Sequence, residues 1–221
     1  MRKCRVADRD MEKCAVYYPQ KVKDKMSFGG YQVTNCEVLP DLTFIEGVIV
    51  SVKGEIVRMK HVIMTSWPDQ LAPVDPAPVI ALWRWVKKND GGRPVVVHCS
   101  AGVGRTSTYV GIDLAFNRIG QDASVNLIES VKELRGMRYQ SIQSHVQFLY
   151  LHVVLIELFV QEKIISESDR KDSAFLDDYR KHAKRKLDKV ACNRGIRSEK
   201  IIALRSNSRR REEVDEGRAA R

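Results

Sequence analysis

A thiol and a guanidinium stand close together near the middle of the chain. Cys99 and Arg105 are separated by five residues, two of which are glycines. The valine run 95–97 precedes them and predicts a buried strand. Apolar residues recur at helical spacing after Arg105 and predict a helix that begins there. A glycine-bearing turn between a strand and a helix points backbone N–H groups inward, so the spacing predicts an anion-binding loop with a thiol at its mouth.

The residue types in this loop suit attack on a bound tetrahedral oxyanion. Arg105 carries a planar guanidinium that can hold two phosphate oxygens. A helix N-terminus and a nearby cation both lower the pKa of a cysteine, which favours the Cys99 thiolate. A lone cysteine is more often a buried structural thiol, but its spacing to Arg105 argues against that role here. Cys and His residues with metal-ligand spacing are lacking, so His98 is expected to tune the thiolate by hydrogen bonding.

The segment HCSAGVGRT, residues 98–106, resembles the signature loop of the cysteine-dependent protein tyrosine phosphatases. The resemblance implies that the loop N–H groups and Arg105 bind a phosphate dianion. It also implies that Cys99 attacks phosphorus and that the Thr106 hydroxyl stabilises the departing thiolate. The substrate-binding residues expected are Asp69, Cys99, Ser100, Ala101, Gly102, Val103, Gly104, Arg105, Gln143 and Gln147.

The tripeptide Trp67-Pro68-Asp69 resembles the WPD loop of the same family. An aspartate after a proline is usually a turn residue, but this one comes 30 residues before Cys99, between a predicted hairpin and a predicted helix. The resemblance makes Asp69 the general acid that protonates the leaving tyrosyl oxygen. Residues 70–78 are rich in proline and alanine, and we expect them to swing and carry the acid to the phosphate. Leu71 stands where the family usually has glycine.

Residues 141–150 resemble the family's Q loop. The resemblance implies that Gln143 places the hydrolytic water and that Gln147 assists it. Without the two earlier motifs, a pair of polar residues near a helix start would be the simpler interpretation. The pair also favours the tyrosine-specific branch of the family.

The elements predicted around these motifs indicate an α/β (α+β) fold, with a twisted mixed β-sheet flanked by helices. Strands are expected at 28–35 and in a hairpin, 42–52 with 56–66, around Gly54. Helices are expected at 77–89, 105–118, 124–137 and 147–160; Ser124 is the expected N-cap of the third, and Val125, Ile128, Val131 and Leu134 form its apolar face. Only 12 residues precede Lys13, and none matches the family's phosphotyrosine-recognition loop, so we expect an N-terminally truncated catalytic domain.

Composition places this domain at residues 1–163 and a basic tail at 164–221, where short helices but no packed core are expected. The net charge of +10 allows an acidic partner for the tail, although the lack of interleaved aromatic residues makes nucleic acid an unlikely one. No apolar run is long enough to span a membrane, and the charged N-terminus does not resemble a signal peptide. Five cysteines without paired spacing favour a reducing, cytoplasmic location.

The function predicted is hydrolysis of phosphotyrosine in proteins through a cysteinyl-phosphate, with no metal or cofactor. Two alternatives remain open. A phosphotyrosine-binding protein without turnover is one, because the recognition loop is missing. A scaffold whose basic tail binds acidic lipid or RNA is the other.

Overall fold

The computed structural model describes residues 15–39, 45–52, 57–64, 67, 70–171 and 174–193. Within these ranges the chain forms a four-stranded antiparallel sheet followed by six helices. The α/β class predicted from the sequence is therefore confirmed.

The strands follow one another across the sheet in chain order, and each pairs with the next. Their bounds are β1 Lys25–Phe28, β2 Tyr31–Leu39, β3 Ile45–Val52 and β4 Val57–Met64. Gly29 adopts a φ of 57° in the two-residue turn that joins β1 to β2, which a glycine tolerates without strain. The β3–β4 hairpin is confirmed by the pairing of Val52 with Val57, although its turn lies outside the described residues.

Helix α4 lies at the centre of the hydrophobic core, which explains why it is apolar on nearly every side. The helices are α1 Ala77–Asn89, α2 Arg105–Gln121, α3 Leu127–Met137, α4 His145–Gln161, α5 Glu167–Lys171 and α6 Phe175–Asn193. Tyr150, Leu151 and Leu158 of α4 are fully buried. In the part of the chain that the structure describes, no helix combines the length and apolar character needed to cross a membrane.

The start of α3 differs from the prediction. Asn126, not Ser124, is the N-cap: its side chain accepts a hydrogen bond from the Glu129 N–H at 3.0 Å, and the Glu129 carboxylate accepts from the Asn126 N–H. This reciprocal pair satisfies two N–H groups of the first turn. The Ser124 hydroxyl donates to Asp122 instead. Val131 and Leu134 of the predicted apolar face are buried, but Leu127 takes the place expected for Ile128, which is 57% exposed.

The buried strand predicted at 95–97 is wrong. Residues 93–99 form no strand, and Val96 is 89% exposed. A buried strand needs a neighbour on each edge, but the described sheet ends at β4 and no described strand lies beside these valines. The described sheet is accordingly antiparallel throughout rather than mixed.

Helix α6 packs on the core, so the prediction that no core packing occurs beyond residue 162 is wrong for this helix. Leu176, Tyr179 and Ala183 are buried against the other helices. Their spacing of three and four residues is that of one helical face, which the surrounding charged residues obscure in the sequence. The domain ranges 1–163 and 164–221 stay a prediction.

The Tyr179 hydroxyl donates a 2.6 Å hydrogen bond to the buried carbonyl of Pro73. Burial raises the pKa of Tyr179, so the hydroxyl keeps the proton that it donates. We expect Tyr179→Phe to lower the free energy of unfolding by about 1–2 kcal/mol, because the Pro73 carbonyl loses its partner. Thermal unfolding followed by circular dichroism measures this effect. Tyr139→Phe is the control, since Tyr139 is 83% exposed; equal losses in the two variants would contradict the assignment.

Candidate active site

The loop at 99–105 wraps its backbone around the Cys99 sulfur. The Gly102 N–H donates to Cys99 Sγ at 3.2 Å, and Gly102 has a φ of 74°. Gly104 is the N-cap of α2 and, having no side chain, offers no side-chain cap, and the Thr106 backbone in the first turn of the helix hydrogen-bonds Cys99. The loop therefore places a sulfur, a helix start and Arg105 within one short turn.

The environment of Cys99 favours the thiolate. Partial burial on its own raises the pKa of the thiol, but other interactions outweigh it, so that the net pKa is lowered. Those interactions are hydrogen bonds from the Thr106 side chain and backbone and from the Gly102 N–H, and the positive charge of Arg105. The Thr106 hydroxyl is buried, and in the described residues it makes no further hydrogen bond. A thiolate is the nucleophilic form of cysteine.

Arg105 connects the 99–105 loop to the segment that carries Asp69. Its Nη1 donates to the Trp67 carbonyl at 3.4 Å. Trp67 is buried, and its indole N–H donates to the Leu71 carbonyl at 3.0 Å, which ties these two residues together. Asp69 and Pro68 lie outside the described residues, so the position of the acid stays a prediction.

Residues 71–73, in the segment expected to swing, are buried, and the segment is held by hydrogen bonds to α4. Leu71 and Ala72 are 9% and 1% exposed. The Leu71 carbonyl accepts from Gln147 Nε2 at 3.3 Å, and the Asp75 carbonyl accepts from the Tyr150 hydroxyl at 3.3 Å. Any swing of the acid is thus expected from the residues before Leu71 rather than from the whole of 70–78.

The structure brings both glutamines to the loop. A Cβ atom on Gly104 would lie 3.1 Å from Gln143 Oε1 and 3.1 Å from Gln147 Nε2, so glycine is what allows them to approach. Gln147 is fully buried, and its amide is held by the Ser144 N–H and the Leu71 carbonyl. Gln143 is exposed at the site. A cavity of about 500 Å³, lined by Arg135, Tyr139, Gln140, Ile142 and Gln143, opens beside it.

Comparison with known families agrees with this geometry. The profile described as "Protein-tyrosine phosphatase" matches residues 3–157, which is more than half of the chain. The chain belongs to the protein-tyrosine phosphatase family.

Curated members of the phosphatase family are about a third identical to this chain over the aligned residues. Human receptor-type tyrosine-protein phosphatase C is 34% identical over 159 residues, which cover 69% of this chain and 12% of that protein. Rat tyrosine-protein phosphatase non-receptor type 20 is 30% identical over 149 residues, 66% of this chain and 35% of that protein. The Lar-like tyrosine-protein phosphatase of Caenorhabditis elegans is 30% identical over 156 residues, covering 68% and 7% respectively. The chain therefore spans a minor part of each of these phosphatases.

A chain of hydrogen bonds runs from the Cys99 carbonyl through His98 and Tyr17 to His61, and the sequence did not predict it. His98 Nδ1 lies 3.0 Å from the Cys99 carbonyl, which can only accept, so we assign the proton to Nδ1. In this tautomer His98 accepts at Nε2 from the Tyr17 hydroxyl, 2.5 Å away, and the Tyr17 oxygen accepts from His61 Nε2 at 2.9 Å. This leaves His61 Nδ1 without a proton, which fits its burial without a partner in the described residues. The available signal was Tyr17 itself, next to Tyr18 in an otherwise polar N-terminal region.

The buried His61 should make stability depend on pH. Burial first, and the neighbouring His98 second, lower the pKa of His61 below its ordinary value of 6.5. As the pH falls below 6.5, His61 therefore binds a proton in the unfolded chain more readily than in the folded one. The free energy of unfolding is then reduced, whereas above pH 6.5 His61 is neutral in both states and causes no such loss. We expect the thermal midpoint to fall more steeply between about pH 7 and 5 in the wild type than in His61→Gln. Differential scanning calorimetry measures both slopes, and parallel slopes would refute this role.

Two further contacts brace the loop and were not predicted. Arg138 Nη2 donates to the Ala101 carbonyl at 3.1 Å, and the Ser107 hydroxyl donates to the Gly102 carbonyl at 3.3 Å. Arg138 follows a helix end, where a basic residue is commonplace, so the local sequence carries no sign of its contact.

Proposed function

We propose that this chain hydrolyses phosphotyrosine in proteins through a cysteinyl-phosphate intermediate. The observation that carries the proposal is the Cys99 sulfur, which accepts the Gly102 N–H at 3.2 Å beside the start of α2 and has a lowered pKa. A thiolate surrounded by N–H donors is suited to attack phosphorus, since the same donors hold the phosphate oxygens. Family membership supports the choice of a phosphate ester as substrate.

The first step forms a bond from sulfur to phosphorus and breaks the bond from phosphorus to the tyrosyl oxygen. The N–H groups of residues 100–104 and the Arg105 guanidinium bind the equatorial oxygens as charge develops on them. Asp69 gives its proton to the leaving tyrosyl oxygen, which becomes a neutral phenol. The proposed cradle supplies the positive field, so the step calls for no metal.

The second step returns the sulfur to its starting state. Gln143 orients a water molecule toward the phosphorus, with Gln147 fixed behind it, and Asp69 takes a proton from that water. The oxygen of the water bonds to phosphorus while the bond from phosphorus to sulfur breaks. The Thr106 hydroxyl stabilises the departing Cys99 thiolate, and His98 holds the Cys99 carbonyl.

Phosphotyrosine proteins are the proposed substrates, and the reducing cytoplasm is the proposed location, because a reactive free thiol survives there. An acidic partner for the basic tail, residues 164–221, is part of the same proposal, on the basis of the positive charge of the chain.

Phosphate release from matched phosphotyrosine and phosphoserine peptides tests the proposal. We expect release from the phosphotyrosine peptide and little from the phosphoserine peptide. Rapid mixing of a ³²P-labelled phosphotyrosine peptide followed by acid quench should trap label on the protein. Binding of the phosphotyrosine peptide without release would contradict the proposal and favour a phosphotyrosine-binding protein without turnover.

A further inference from the structure

A single peptide unit in the 99–105 loop is held at both of its ends. The carbonyl of Ala101 accepts from Arg138 Nη2 at 3.1 Å, and the N–H of the same unit, that of Gly102, donates to Cys99 Sγ at 3.2 Å. A trans peptide is planar, and its C=O and N–H point in opposite directions. A contact that fixes the carbonyl on one side therefore fixes the N–H toward the sulfur on the other.

Without the Arg138 contact, the Ala101–Gly102 peptide could flip and exchange the directions of its C=O and N–H. Gly102 has a φ of 74°, and glycine occupies positive and negative φ with similar ease. A flipped unit would aim the Ala101 carbonyl oxygen at the sulfur, where it would repel both a thiolate and a phosphate. The guanidinium lies close over the glycine, since a Cβ atom there would be 2.9 Å from Arg138 Nη2 and 3.4 Å from Cζ.

The backbone of Arg138 is well anchored for such a role. Its N–H donates to the Leu134 carbonyl at 2.9 Å in the last turn of α3. Its carbonyl accepts from the buried Ser141 hydroxyl at 2.7 Å. Arg138 thus reaches the loop from a fixed point between α3 and the segment that carries Gln143.

We propose that Arg138 is a positioning residue, which holds the Ala101–Gly102 peptide so that its N–H faces the nucleophile. The inference rests on the proposed function, because it concerns the sulfur that attacks phosphorus. A cation on the carbonyl also polarises the peptide and strengthens the N–H as a donor. Arg138 itself does not touch the substrate.

The pH profile of Cys99 alkylation tests this role without any substrate. Iodoacetamide reacts with the thiolate, and peptide-resolved mass spectrometry separates Cys99 from the other four cysteines. We expect Arg138→Met to move the alkylation midpoint upward by about one pH unit and Arg138→Lys by a smaller amount, because lysine keeps one donor. In the phosphatase assay, kcat/KM should fall about tenfold or more for Arg138→Met.

Arg118→Met is the matched control. Arg118 is also an exposed arginine that joins α2 to α3, and the partner that the described residues give its guanidinium is Glu133, at 2.9 Å, rather than the loop. Its alkylation profile should match the wild type.

The inference is overturned if folded Arg138→Met shows the wild-type pH profile of Cys99 alkylation. If Arg138→Met does not fold, a wild-type alkylation profile in Arg138→Lys overturns it instead. A shifted profile supports the inference even if the wild type releases no phosphate, a result that would reject the proposed function instead. The two failures are therefore distinguishable.

Discussion

Replacing Cys99 by serine is expected to lower kcat for a phosphotyrosine peptide by about 10⁵-fold. The serine hydroxyl stays protonated under conditions in which the lowered pKa of Cys99 supplies a thiolate, so no nucleophile remains. The loop N–H groups and Arg105 are unchanged, so the peptide should still bind. Steady-state phosphate release measures kcat, and fluorescence anisotropy of a labelled phosphopeptide measures Kd.

Cys36→Ser is the control for this variant. Cys36 is an exposed free thiol on β2, and its sulfur contacts the Thr34 carbonyl rather than the loop. It should retain wild-type kcat. Sizeable turnover by Cys99→Ser would remove the cysteinyl-phosphate from the mechanism, whatever the fold of the protein.

Replacing Arg105 by methionine is expected to lower kcat/KM roughly 10³-fold. The variant loses the fork that binds two phosphate oxygens in the transition state. It also loses a positive charge that lowers the pKa of Cys99, so the thiolate should appear only at higher pH. Phosphate release measured across pH gives both effects, because the acidic limb of the profile should move upward.

Two variants separate charge from geometry at this position. Arg105→Lys keeps the charge without the planar fork and is expected to fall between the methionine variant and the wild type. Arg84→Met removes an exposed arginine that pairs with Glu162 and should leave activity unchanged. If Arg105→Met kept wild-type kcat/KM, the guanidinium would have no part in binding the dianion.

Features with a local cause could be predicted from the sequence. Helix α1 has its predicted bounds because a proline lies in its first turn and Asp90, Gly91 and Gly92 follow its end. Helix α2 begins at Arg105 as expected, since the glycines before it permit the turn that brings the sulfur to the helix start. The close spacing of Cys99 and Arg105 also predicts an anion site, which stays a prediction.

Features that depend on distant partners could not be predicted. The valines at 95–97 have the residue types of a buried strand, but burial requires neighbours that a local pattern does not encode. Tyr17 and His98 lie 81 residues apart, and Arg138 lies 37 residues from the carbonyl that it holds. The buried face of α6 was hidden by charged neighbours, because its core-facing residues, among them Leu176, Tyr179 and Ala183, are interspersed with charged ones.

Helix α6 also affects how the protein should be shortened for experiments. The family match ends at residue 157, whereas α6 begins at Phe175. A protein that ended at residue 157 would lack Tyr179, which contacts Tyr150 and donates to the Pro73 carbonyl. Its core would then be exposed next to the segment that follows Asp69. A fragment made for experiments should therefore extend beyond the family match and include all of α6, through Asn193.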